Sequence, residues 1–181
     1  DPLVRRGAAS TVASLFTTPA RLCPERLALV DGERKITYAA LSERVRRLAL
    51  KIFDSMGSEK EEQESDRLLL DWAARLAEIG LSVAHAQYHK HSAYILSNAD
   101  MPGFSRMEQQ RLARIVLAHR GKLGKMQDVE LEGSDWTLVF ALRIAALVLR
   151  NRTDARFPML RVSGDKSGYS LDLPLAWLEE N

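Results

Sequence analysis

The chain has 181 residues and a mass of 20.3 kDa, with 46% hydrophobic and 28% charged residues, which suits one globular domain or two small ones and excludes a disordered chain. Net charge is only +2, yet residues 101 to 125 hold six basic groups against one acidic, a local field suited to an anion or simply a solvated helix face. Cys23 is the single cysteine, so an internal disulfide is excluded and a reducing, cytoplasmic setting is expected.

Thr11 to Phe16 predicts a short helix, followed by a loop carrying Pro19 and Pro24. Leu27–Val30 and Arg34–Thr37 flank Asp31-Gly32, a dipeptide that tolerates the positive φ of a hairpin turn, so two short strands are expected. Leu41, Val45, Leu48, Ala49, Ile52 and Phe53 then follow a helical rhythm that continues to about Met56.

Gly57 to Glu64 is polar, acidic and aperiodic and reads as a loop, the best internal boundary of the chain. Asp66 is the expected cap of the next helix, whose buried stripe is Leu69, Trp72, Ala73, Leu76 and Ile79, with Gly80 as its left-handed stop. A further helix is predicted over His89 to Asn98, and Pro102-Gly103 separates it from Ser105-Arg-Met-Glu108, a capping box. That box opens a helix with Leu112, Ile115, Val116 and His119 on one side and Arg106, Arg111 and Arg114 broadly on the other, ended by Gly121.

Lys122 to Gly133 reads as a loop leading to an N-cap at Ser134-Asp135. Trp136 to Arg150 is apolar nearly all round and marks a central helix, interrupted by Arg143; the fourteen residues to Leu149 are too few and too charged to span a bilayer. Leu160 and Val162, then Tyr169, Leu171 and Leu173, alternate with polar residues around Gly164–Gly168, predicting a hairpin with a five-residue turn. The fold class expected is mainly α, with a short hairpin near each end. The opening Asp1-Pro2, with no leader pattern, reads as a fragment or processed piece.

Several ordered motifs carry a resemblance. Leu70-Asp-Trp-Ala-Ala-Arg-Leu-Ala-Glu-Ile-Gly80, Tyr88-His-Lys-His-Ser-Ala-Tyr-Ile-Leu96, Met101-Pro-Gly-Phe-Ser-Arg-Met-Glu-Gln109, His119-Arg-Gly121, Leu142-Arg-Ile-Ala145 and the Trp177-Leu-Glu-Glu180 tail make residues 51 to 181 closely similar to the C-terminal region of the exopolyphosphatase and guanosine pentaphosphate phosphohydrolase family. The resemblance implies an HD-like helical bundle followed by a small mixed piece, and a phosphate-cleaving centre in actin-like domains that precede this region. It also implies a role in holding polyphosphate beside that centre and in dimerisation. No P-loop pattern occurs, since Gly121-Lys-Leu-Gly-Lys125 is too short and lacks the hydroxyl after lysine.

The family's Leu-His-Glu-Ile-Gly motif has Ala77 in place of its histidine, which breaks the His-acid pair; His85, His89, His91, His119 and Glu78 then lack the expected pairing, so no metal or other cofactor is expected. Residues 1 to 50 resemble something else. Thr11-Val-Ala-Ser-Leu-Phe16, Pro24-Glu-Arg-Leu-Ala-Leu-Val-Asp-Gly32 and Ile36-Thr-Tyr-Ala-Ala-Leu41 are similar to the extreme N-terminus of adenylate-forming enzymes, acyl-CoA synthetases and adenylation domains, without the parts that bind ATP. Together the two resemblances imply a chimeric chain joined within one helix.

The candidate polyphosphate-binding residues are His89, Lys90, His91, Arg106, Arg114, His119, Arg120, Lys122, Lys125 and Arg143. Imidazole, ammonium and guanidinium groups donate charge-assisted hydrogen bonds to phosphate oxygens. Each has a structural alternative: a histidine of the 88–91 cluster caps a helix or satisfies a carbonyl, His119 is a hydrogen-bonded core residue, the basic block is a solvated face, and Arg143 bridges to an acid such as Glu78. No glycine-flanked nucleophile appears and Cys23 is remote from every histidine in sequence, so no catalytic residue is expected and the chain alone is read as a binder, not an enzyme. The partners expected are polyphosphate or another phosphate polyanion and a possible homodimer copy, with no membrane and no specific nucleic acid. The alternative is a structural or dimerisation module with no retained ligand.

Overall fold

The computed structural model describes residues 24–25, 27–31, 34–57, 60–122, 129, 131, 133–150, 161–165 and 168–175. The helix expected over Thr11 to Phe16, Cys23 and Lys125 lie outside them. Among the described residues the chain is mainly helical, with one small antiparallel hairpin before the helices and one after, the architecture expected.

Strands β1 (Leu27–Asp31) and β2 (Arg34–Thr37) pair antiparallel, with Asp31 opposite Arg34. Asp31 therefore belongs to the ladder and not to the turn expected at Asp31-Gly32. Thr37 leaves β2 in extended conformation and caps α1 (Tyr38–Met56), its hydroxyl accepting from the Ala40 amide at 3.2 Å. Gly57, at φ 59°, ends α1 in a conformation that costs a side chain little only when there is none. Leu48, Ala49, Leu50, Ile52 and Phe53 are buried along α1, so the apolar stripe runs unbroken across residues 50 and 51.

Helix α2 spans Lys60–Leu76, which corrects the loop expected to Glu64. Glu, Gln and Lys are good helix formers, and lack of apolar periodicity marks an exposed first turn as readily as a loop. Asp66 is accordingly not a cap; it lies inside α2, buried, and holds Arg111 at 2.7 Å. Leu69, Leu70, Ala73, Ala74 and Leu76 pack into the core, and Trp72 lies edge-on to Phe104 at 5.6 Å between ring centroids.

Gly80 does not act as a left-handed stop either. It lies within a short 3-10 turn (Ile79–Ser82), and a Cβ there would collide with the Tyr88 carbonyl oxygen and the Ser92 amide nitrogen. The glycine is needed for close approach of the next helix, α3 (Tyr88–Asn98), rather than for a backbone angle. Ser105 and Glu108 form the expected capping box of α4 (Arg106–Ala118), with both reciprocal bonds present at 3.2 and 2.7 Å.

Helix α5 spans Gly133–Arg150, so Ser134 and Asp135 lie in its first turn, with Asp135 buried. It packs along α1 and also against α2 and α4, while α3 lies on α4. Leu138, Leu142 and Ala145 of α5 meet Leu112, Ile115 and Val116 of α4 and Leu70 of α2 in one continuous core. No helix among the described residues is long and apolar enough to cross a membrane.

The last hairpin joins β3 (Arg161–Asp165) to β4 (Gly168–Asp172), with Asp165 opposite Gly168. Gly164 and Asp165 pair with Tyr169 and Gly168, so they extend the ladder instead of belonging to the five-residue turn expected. Val162 is buried against the core, and Tyr169 stacks on Phe140 of α5 at 4.6 Å while its hydroxyl meets Thr137 Oγ1 at 2.8 Å.

Candidate functional site

The first turn of α3 is fixed from behind. Ser92 Oγ accepts from the Gly80 amide at 2.9 Å and shares its own proton between the carbonyls of Ala77 and Tyr88, at 2.8 and 2.9 Å. Gln87 enters the helix at φ 54°, a left-handed conformation, and its carbonyl accepts from the Lys90 amide at 2.8 Å. Tyr88 and His89 are thereby turned inward while Lys90 stays exposed.

The end of α4 meets this turn. His119 is buried, its Nδ1 2.5 Å from the Val116 carbonyl and its Nε2 3.5 Å from the Tyr88 hydroxyl. The first contact fixes the proton on Nδ1, which leaves Nε2 to accept from tyrosine. Burial pushes the His119 pKa down to about 4, opposed by the Val116 carbonyl and reinforced by His89, Arg120 and Arg143. The guanidinium of Arg120 lies 4.9 Å over the Tyr88 ring, a cation–π contact.

Between these two helix ends lies a cleft of about 490 Å³, lined by Gln87, His89, Lys90, Leu117, Gly121, Lys122 and Val129. None of these lining residues is acidic. His89 is 92% buried by its 8% exposure, yet its Nδ1 has no hydrogen-bond partner among the described residues. Burial holds its pKa below the usual histidine value, followed by repulsion from Arg120, Lys90, Arg143 and His91. Cations therefore converge here from α3, from the segment after α4 and from α5.

Five of the expected site residues, His89, Lys90, His119, Arg120 and Lys122, come together at or beside the cleft. The others do not. Arg143 closes the end of α4, donating to the Ala118 carbonyl at 3.1 Å and to the Gly121 carbonyl, where a cation also meets the negative end of the helix. That capping role is neither of the two uses expected for it, although the residue still contributes charge to His89. His91 is half-buried and faces back, its Cβ 2.8 Å from where a Cβ on Gly80 would stand.

Arg106 donates to the Ser97 carbonyl at 3.1 Å, tying α3 to the far end of α4, about 20 Å from His119 at the usual helical rise. Arg114 is half-buried with its Nε enclosed and without a hydrogen bond, and it is not a wall of the cleft. Arg111, expected on the solvent side, instead bridges Asp66 of α2 and Asp135 of α5, at 2.7 and 2.5 Å, and Ser134 at 2.9 Å. Sequence reasoning left Gln87, Leu117 and Val129 out of the site, and the strained φ of Gln87 has no signature in its residue type. Ala77 offers the site only its carbonyl, and no group of three His, Cys, Asp or Glu side chains among the described residues is gathered to hold a metal ion.

Comparison with known proteins gives a consistent result. The model of the Ppx/GppA phosphatase family, domain III, matches residues 35–181. The match takes in β2 from Lys35 onward and all of α1, so it overlaps the stretch that resembles adenylate-forming enzymes over residues 35 to 50. A guanosine-5'-triphosphate,3'-diphosphate pyrophosphatase of Aeromonas hydrophila is 31% identical over 146 residues, 77% of this chain and 29% of the relative. The Vibrio cholerae protein of that name is 33% identical, covering 79% and 29%, and that of Pseudoalteromonas translucida 35%, covering 62% and 23%. The chain thus spans less than a third of the length of these relatives.

Proposed function

Because the chain belongs to the Ppx/GppA phosphatase family, through that family's domain III, we propose that it is a polyanion-holding accessory domain whose ligand is polyphosphate. The observation that carries this reading is the cleft at the meeting of α3 and α4, where His89, Lys90 and Lys122 line the wall, Arg120 stands beside them, and no carboxylate lies among the described lining residues. Exposed lysines supply long-range attraction and mobile donors, and buried imidazole supplies a fixed one. The chain holds phosphates and cuts none, with cleavage belonging to the remainder of the longer relatives. A guanosine nucleotide carrying five phosphates offers the same oxygen chemistry over a shorter span and is the competing ligand.

The test is an anisotropy titration of labelled long-chain polyphosphate at low and at physiological salt, with orthophosphate and the pentaphosphate nucleotide as competitors. Saturable binding that weakens steeply with salt and resists orthophosphate is expected, by the counterion-release logic of any flexible polyanion. Replacing Lys90 and Lys122 together by alanine should weaken it roughly tenfold and flatten the salt dependence. Absence of saturable binding at low salt overturns the reading and leaves a structural or dimerisation module.

A further inference from the structure

The cleft contains one group that the fold leaves incomplete. His89 is buried, lines the wall, and has no partner for Nδ1 among the described residues, whereas its neighbour His119 has both ring nitrogens engaged. A buried polar atom without a partner is destabilising, and is tolerated where a ligand completes it. Among the described residues the groups that face it are cationic or neutral: Lys90, His91 and Tyr88 on α3, His119 and Arg120 at the end of α4, and Arg143 on α5. With the cleft empty, a second positive charge there is opposed by burial and by those cations.

A phosphate oxygen in the cleft reverses both penalties, giving Nδ1–H an acceptor and the surrounding cations a counter-charge. We propose that His89 engages phosphate as an imidazolium, donating from Nδ1, so that each occupied cleft takes up one proton from solution. This rests on the reading of the cleft as a polyanion site and adds to it a linkage between ligand and pH. The free imidazole titrates below the ordinary value of about 6.5 and the bound one above its own free value. Affinity then rises as pH falls through the interval between them, and is flat outside it.

Isothermal titration calorimetry of the chain with long-chain polyphosphate, whose internal phosphates stay ionised throughout, measures the linkage in buffers of different ionisation enthalpy at fixed salt. Proton uptake, at most one per site, is expected in the interval between the free and the bound titration, with affinity gaining up to about tenfold per pH unit of acidification. H89Q should bind at every pH as weakly as wild type does at the alkaline end, with the uptake gone, while H91Q retains it. Salt-sensitive binding without proton uptake, or uptake that survives H89Q, overturns the role of His89 and leaves the polyanion site standing. No saturable binding at any pH overturns both. If H89Q fails to fold, the ring nitrogen resonances of His89 in wild-type protein decide, since a ring that stays neutral on saturation is incompatible with the proposal.

Discussion

The two ends of α4 carry the same residue types and put them to opposite uses. At the N-terminal end Arg106 and Arg111 are consumed by the protein itself: one ties off the Ser97 carbonyl, the other joins α2 to α5 through Asp66 and Asp135. At the C-terminal end Arg120 and Lys122, with His89 and Lys90 across the cleft, are gathered with no acid among the described lining residues. A basic residue becomes structural when the core brings a carboxylate or carbonyl within reach, and available for a ligand when it does not. Composition is blind to that difference.

The comparison is broken most severely at Arg111. R111M removes the guanidinium that bridges Asp66 and Asp135, the latter only 2% exposed, and should cost about 3 kcal/mol in urea unfolding. If the network is only stabilising, whatever protein folds at low temperature should still bind polyphosphate normally. A loss of stability well under 1 kcal/mol would mean that solvent already reaches both carboxylates.

Acid separates the two ends next. The folded state keeps His119 neutral down to about pH 4, whereas the unfolded chain protonates it near 6.5, so the unfolded state binds the extra proton between those values. Stability contributed by the neutral ring is complete above about pH 6.5 and is lost as pH falls toward 4, by roughly 3 kcal/mol for a shift of this size. Urea unfolding from pH 7 to pH 4 should show that slope in wild type and a shallower one in H119Q.

The smallest effect belongs to Arg106. R106A removes one exposed bond to a carbonyl and should change stability by less than about 1 kcal/mol and polyphosphate affinity not at all. Weakened binding in R106A would extend the ligand track along the whole of α4. That result would erase the contrast with the double lysine variant, whose stability should stay within about 0.5 kcal/mol of wild type because both lysines are exposed.

Local signals were legible where the responsible residues are neighbours in sequence. The Ser105–Glu108 box, the stripe from Leu48 to Phe53 and the apolar length of α5 each report an interaction within a few turns. The acidic start of α2 escaped because exposed helical turns and loops share a composition. Gly80 escaped because its purpose is contact with the Tyr88 carbonyl of another helix, and the last hairpin tightened because its register is set across the ladder.

The sequence by itself determined a mainly helical member of a phosphatase family with an excess of positive charge between residues 101 and 125. Only the tertiary structure decided which charges are available: it assigned Arg111 to two distant aspartates, Arg143 to the end of α4, and His89 to a cleft where its Nδ1 has no partner among the described residues. The physical reason is range. Periodicity and capping act over a few residues, whereas desolvation and charge pairing depend on which surfaces meet after the helices have packed.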